Sequence, residues 1–432
     1  MKKFLIFCSL FLFLVPFCAA SAAHAATLIN DTETENLLME LVLPLARAAG
    51  VPDGRLKIHI INSNEFNAFV TGGEGVYVYT GLLTQIRSPG ALQAVIAHEM
   101  GHMLGGHIVQ MSARMDAEMK RAMIIQALGI GMMVAGGNPT AGVGVLAGSA
   151  GIAQQSMLAF SRDEERMADT MGVDLMTRAN LDPRGFIDVF EQMRDMTGVV
   201  ESKINPNNIN HPLTSERLKN IKEKLKGISY KESKSKIRNQ EYALVRAKLI
   251  GYLDNASHVM DVYPNSDKSD PAIYARAIMN MKSGNLADAR TGTLTLISRD
   301  SKNPYFYELL GDIEYQYGHY DDSVDAYEKS LELSKNAPQI QTALALVLSE
   351  RAKPGDAARA IELAKRAILK EPMPLTYWVL ARTEQGGKSD WAMAEYYNMI
   401  DKKKEAKQYA KKAQKSLPKD SPEYIKAGDL LK

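Results

Sequence analysis

A fixed period runs through the C-terminal half of the chain, and it restricts the fold more tightly than any other feature. Pro304, Pro338 and Pro372 are equally spaced, and the same interval separates Gly284 from Gly318, Ala277 from Gly311, and Ala289 from Ser323. Small and aromatic residues recurring every ~34 residues imply a helix pair per repeat, which cannot bury its apolar face alone. Stacked pairs form a mainly α solenoid in which each unit packs on its neighbours. Tyr307, Leu310, Gly311, Tyr327 and Leu331 mark one unit, and Ala394, Ala406, Ala413 and Pro418 mark a later one. The register breaks near Lys353-Pro354-Gly355, where an insertion is expected.

The repeats account for residues 241–432. A polar, lysine-rich stretch at 227–240 reads as a linker, and residues 26–226 are left to form a separate domain. Residues 1–25 belong to neither. Lys2 and Lys3, an apolar run from Phe4 to Phe17 and the small-residue ending Ala23-His24-Ala25 read as a secretory signal peptide. Its removal takes both cysteines, Cys8 and Cys18, which excludes a disulfide framework and a cysteine metal site. It also takes two lysines and no acid, leaving basic and acidic residues balanced at 50 each. That balance gives no support for nucleic-acid binding.

Within 26–226, residues 27–48 show helical spacing of Leu37, Leu38, Leu41, Val42 and Leu45. Leu56–Ile61 and Gly75–Thr80 read as strands of a small sheet. A helix is expected from Pro89 to about His107, another over Ser161–Ala179, and a basic one after the Asn205–Pro212 loop. Nothing between Ala122 and Ser161 is charged. That segment reads as a buried or lid-forming helical hairpin, with peripheral membrane contact as the alternative.

His98-Glu99-Met100-Gly101-His102 falls on the helix that starts at Pro89. A spacing of four puts both imidazoles on one face, where they can share a zinc ion, with Glu99 beside them as general base. Zinc needs a third protein group and an open fourth position. A histidine six residues beyond His102 would serve, but Ile108 stands there, and His107 is out of register. His107 is therefore read as an exposed or hydrogen-bonded helix residue. Glu165 and Asp169, one helical turn apart, offer another route. Glu165 would bind zinc, and Asp169 would accept the remaining N–H of a ligating histidine. Glu164 is a competitor without that spacing.

These motifs resemble the HtpX-related zinc peptidases of the bacterial envelope, in particular the BepA type that joins such a domain to tetratricopeptide repeats. The matching residues are Asn67-Ala68-Phe69, Gly72-Gly73, Val78–Leu83, His98-Glu99 with His102, Ser161-Arg162 with Glu165, Ala168-Asp169 and Gly172, and His211-Pro212 with Arg217. The resemblance spans essentially all of the chain after the signal peptide. It implies a zincin-like metallopeptidase domain with a small β-sheet, followed by an α-helical tetratricopeptide-repeat solenoid. It implies one Zn2+ per chain, polypeptide substrates, and a periplasmic enzyme degrading misassembled or stalled envelope proteins. It also implies that the repeats engage the outer-membrane protein assembly machinery. The strand at Tyr77–Thr80 would form the sheet edge on which substrate pairs. His211 would return to the cleft, to stabilise the oxyanion or to cap the zinc, with a structural turn as the bland alternative. Arg217 stays open between an anion-binding group and a residue of a solvated helix face. The competing class is a non-proteolytic envelope chaperone or assembly scaffold, which has no use for an acid at position 99.

Overall fold

The computed structural model describes residues 27–71, 75–107, 109–110, 160–199, 211, 215–228, 235–334 and 337–432. The expected signal peptide, Gly72-Gly73, Pro212 and almost all of the uncharged 122–161 segment lie outside these residues. The chain divides into two compact units. Among the described residues, one comprises 27–28 and 35–242, and the other 29–34 and 243–432.

The first unit is built around a four-stranded sheet. Its strands are β1 (Thr27–Ile29), β2 (Lys57–Asn62), β3 (Ala68–Val70) and β4 (Gly75–Tyr79), in the order β1-β2-β4-β3. β4 runs parallel to β2, with Ile60 opposite Val78, and antiparallel to β3, with Phe69 opposite Tyr77. The strand at Tyr77–Thr80 is therefore interior, contrary to the expectation that it forms an edge. The edge beside it is β3, a strand too short to leave an alternating pattern in the sequence. The helix expected over 27–48 also begins later. Thr27–Ile29 pair as β1, and α1 (Thr32–Ala48) follows. Asp31 caps it by accepting from the amide of Thr34 at 2.9 Å. The apolar stripe Leu37, Leu38, Leu41, Val42 and Leu45 is buried as its spacing implies.

Among the described residues, five more helices follow in chain order: α2 (Thr80–Gln85), α3 (Pro89–Leu104), α4 (Arg162–Arg178), α5 (Gly185–Val199) and α6 (Ser215–Leu225). The polar stretch read as a linker is helical in its second half, because α7 (Ser235–Leu253) already begins there. Its lysines, Arg238 and Gln240 are strong helix formers, so polarity alone does not break the backbone pattern. Among the described residues, no helix is long and apolar enough to cross a membrane.

The second unit stacks helix pairs. After α8 (Ala256–Val262) come α9 (Asp270–Lys282) with α10 (Leu286–Arg299), α11 (Pro304–Tyr317) with α12 (Tyr320–Leu333), and α13 (Pro338–Arg351) with α14 (Asp356–Lys370). They continue as α15 (Pro374–Thr383) with α16 (Gly386–Met399), and α17 (Lys403–Ser416) with α18 (Pro422–Asp429). The period has the physical cause the sequence implied. A Cβ on Gly311 would stand 2.9 Å from the ring of Tyr327, so only glycine lets α11 and α12 close.

Ile29–Thr34 cluster with these repeats and bring two acids into their interior. Lys248 Nζ lies 2.6 Å from Asp31 Oδ1 and 3.3 Å from both Glu33 Oε2 and Glu308 Oε2. Tyr274 donates its hydroxyl to Glu33 at 2.9 Å. All five residues are buried. Burial raises the Glu33 carboxyl to about 7, against the pull of Lys248 and with Asp31 adding to the rise. A group that binds its proton more tightly when folded stabilises the fold fully below its ordinary pKa, here 4.5. That stability is lost as pH rises through 7. Between pH 5 and 8 the second unit should lose up to about 3 kcal/mol from this source. Glu33→Gln should flatten that part of the profile in denaturant unfolding. An unchanged pH slope in the variant would assign the dependence to other groups.

Candidate metal centre

The site begins on α3. Ser88 accepts from the amide of Ala91, and Pro89 occupies the first turn, so the helix start is fixed locally. Most of α3 is buried, and His98, Glu99 and His102 all face protein. Nε2 of His98 and Nε2 of His102 lie 3.1 Å apart.

Missing side chains draw α4 against α3. A Cβ on Gly101 would stand 2.5 Å from the carbonyl oxygen of Ala168, and one on Gly172 would stand 3.1 Å from that of Ala97. This close crossing sets Glu165 over the histidine pair. Its Oε2 is 3.4 Å from His98 Nε2, and its Oε1 is 3.4 Å from His102 Nε2. Nδ1 of His211 lies 3.2 Å from His98 Nε2 and 2.7 Å from Glu165 Oε1. Ligand atoms of these four residues all fall within 4.8 Å of one another. Glu99 stands beside the group, its Oε1 3.4 Å from His211 Nε2. Glu164 is turned to another task. It forms a capping box with Ser161, its carboxylate accepting from the Ser161 amide at 2.8 Å.

Behind the cluster sits a second layer of charge. Asp169, one turn beyond Glu165, brings Oδ1 to 2.9 Å from Nδ1 of His98. Arg217 donates to Asp169 through Nε and Nη2, both at 2.8 Å, and its Nη1 lies 2.6 Å from Glu165 Oε2. The guanidinium is buried, 5.2 Å from the Phe190 ring centre, so the solvated-face reading of Arg217 falls away. His107 is buried too. Its Nδ1 lies 3.0 Å from Nδ1 of His102, so it faces the nitrogen that points away from Glu165. The expected helix to His107 stops at Leu104, and Gly106, at φ +70°, turns the chain back toward His102. The Gly105-Gly106 pair was the available signal for that turn. Phe160, which nothing in the sequence singled out, stacks on the His102 ring with centroids 3.9 Å apart.

The electrostatics follow from burial and these pairings. Burial opposes charge on His98, but Asp169 and Glu165 outweigh it and raise the imidazole to about 9. Burial lowers His102 to about 4 despite its contact with Glu165. Burial would also raise Glu165 and Asp169. The histidines hold Glu165 well below the usual carboxylate range, and Arg217 with His98 lowers Asp169. Glu99 goes the other way: burial raises it, with only partial relief from His211 and His98.

The donor set fits a cation. Among the described residues, two buried atoms of this cluster lack a hydrogen bond of acceptable angle. They are Glu165 Oε2 and His98 Nδ1, the latter despite its short approach to Asp169. A buried carboxylate whose two oxygens each face an imidazole nitrogen, with Arg217 on one of them, is an environment that a bound metal suits. His98, His102, Glu165 and His211 together offer donor atoms of the kind a metal ion takes.

Residues 32–225 match peptidase family M48. The beta-barrel assembly-enhancing protease of Escherichia coli K12 is 23% identical over 346 residues, covering 78% of this chain and 69% of that protein. Its namesake in Yersinia pestis is 23% identical over 368 residues, covering 82% and 73%. The mitochondrial metalloendopeptidase OMA1 of Schizosaccharomyces pombe is 27% identical over 202 residues, covering 46% and 55%.

Proposed function

We propose, from the match of residues 32–225 to peptidase family M48, that this chain cleaves polypeptides with one Zn2+ held by His98, His102 and Glu165. The convergence of those three side chains beside Glu99 carries the reading. A zinc ion there supplies Lewis-acid polarisation of the scissile carbonyl and acidifies a water molecule toward neutrality. The chain's own residues do the rest. Glu99 takes the proton from the attacking water and passes it to the leaving amine, a task suited to a carboxyl whose proton affinity burial has raised. Asp169 orients His98, His107 backs His102, and Arg217 positions both Asp169 and Glu165. His211, with a nitrogen among the donor atoms, favours the capping role over oxyanion stabilisation in this conformation. An extended substrate pairs with the β3 edge, which packs against α3.

The expected signal peptide and the relatives' names support a physiological setting for this activity. We place the enzyme in the periplasm, clearing misassembled outer-membrane proteins. Residues 26–226 act as catalytic module, and the repeats of 241–432 select substrates and engage the assembly machinery. A pure scaffold would have no reason to bury Glu99 beside two histidines at a desolvation cost.

Metal analysis combined with casein cleavage tests the proposal. The purified chain should carry one zinc and lose cleavage to a chelator, regaining it on zinc addition. Glu165→Ala should lower zinc affinity by at least about 100-fold, beyond what loss of an outer-shell partner costs. A Glu165→Ala chain that keeps one zinc through dialysis would remove Glu165 from the ligand set.

A further inference from the structure

The repeat unit holds an occupant of its own. Asn30, Asp31, Thr32 and Glu33 belong by contact to the repeats, although Glu35–Tyr242, nearly all of the other unit, lies between them in sequence. Each of the four meets a repeat side chain. Asn30 donates to Glu371, Thr32 donates to Gln339, and Gln339 in turn donates to Glu371 at 2.8 Å. Asp31 and Glu33 meet Lys248, and Glu33 also accepts from Tyr274. These partners come from α7, α9, α13 and the α14–α15 junction, so four residues span several successive repeats.

One position of these repeats is polar in successive units. Tyr274, Glu308, Thr342 and Thr376 recur at the repeat interval, each on the first helix of its pair, and all four are buried. Thr342 and Thr376 hydrogen-bond to each other at 2.7 Å, and Glu308 shares Lys248 with the segment. Stacked repeats make extended binding surfaces, and two members of this column, Tyr274 and Glu308, meet the segment or the lysine that holds it. A joint whose only task was stability would be better served by apolar packing, because buried ion pairs contribute little net stability. Here three carboxylates crowd one ammonium, and Ile29 is the segment's one buried apolar side chain.

We propose that this repeat face is a receptor for short acidic polypeptide segments bearing two carboxylates two residues apart, and that Asn30–Glu33 occupies it in cis. Lys248 is the anchoring cation, Tyr274 reads the second carboxylate, and Gln339 with Glu371 reads the flanking amide and hydroxyl. A tethered occupant competes at an effective concentration in the millimolar range, so an incoming segment binds only as the cis segment leaves.

A fluorescent peptide of the sequence Thr27–Asn36 tests this on the full chain. Asp31→Asn with Glu33→Gln weakens the cis occupant while keeping a cap at position 31. That chain should bind the peptide about tenfold more tightly than the unaltered one, because the competent fraction rises. Adding Lys248→Met should then abolish binding. Equal affinity for the first two chains, no binding to either, or binding that survives Lys248→Met would overturn the proposal. If circular dichroism finds the altered chains unfolded, amide exchange on the unaltered chain decides instead. Excess peptide should speed exchange across 29–34, and unchanged protection there would overturn the receptor reading.

Discussion

Glu99→Gln should leave zinc content unchanged and reduce peptide turnover by about 10³-fold, within the range that a positioned general base supplies. The amide keeps the size of the carboxyl, so the packing of α3 survives the change. Glu99 contributes no atom to the donor cluster of His98, His102, Glu165 and His211, so metal binding should not depend on it. What disappears is the proton acceptor. Burial has already raised the proton affinity of Glu99, which suits a group that must both accept and return a proton near neutral pH. Zinc content by atomic emission and cleavage of an unstructured peptide, measured on one preparation, check the result together. Full turnover in a zinc-loaded Glu99→Gln chain would require another base.

The sequence made the local parts of this site legible and hid the parts that depend on distant contacts. His98, Glu99 and His102 could be placed because helical spacing dictates that four-residue neighbours share a face. Glu165 and Asp169 carried the same signal. Between Glu164 and Glu165 the sequence offered only the spacing to Asp169, and the structure adds that Glu164 is taken up in a capping box with Ser161. Arg217 was ambiguous because α6 is charged along most of its length, and only packing against Phe190 and Asp169 separates its buried position from its solvated ones. His107 was passed over because metal-ligand spacing was the test applied, and its contact with His102 depends on a turn at Gly106. The sheet edge was misassigned for a related reason. β4 has the stronger strand pattern, but strand order is set by which partners pair, and β3 is added outside it.

The same division holds in the repeats. Their period is visible because every unit solves the same packing problem with small residues at the same offset. The docking of Asn30–Glu33 was invisible, because it joins a segment near one end of the chain to repeats far along it. Sequence pattern reports what an element does to its own neighbours. Long-range electrostatic pairings leave no period to read.

Arg217→Met should cost the first unit about 3–5 kcal/mol, the range for removing one partner of a buried charge pair, and should weaken zinc binding as well. The guanidinium is shared between Asp169 and Glu165, so its loss leaves two buried carboxylates without their cation. Arg217→Lys should recover little. A single ammonium cannot reproduce the parallel bonds to Asp169 while also reaching Glu165. The pH dependence has a definite sign. Burial alone would raise Asp169, but Arg217, with His98, holds it below its ordinary value of 3.8. The stability this contributes is present above that value and is lost as pH falls through the depressed one. The gap between the parent and Arg217→Met should therefore narrow on acidification. Combining Arg217→Met with Asp169→Asn should restore part of the stability, since one uncompensated charge is gone, without restoring zinc affinity. Denaturant unfolding and zinc titration of the single and double variants separate the two effects. Unfolding and zinc affinity at parental levels in Arg217→Met would mean that Arg217 supports neither acid. Full recovery of zinc affinity in the double variant would mean that Arg217 matters only for the charge of Asp169, and not for positioning Glu165.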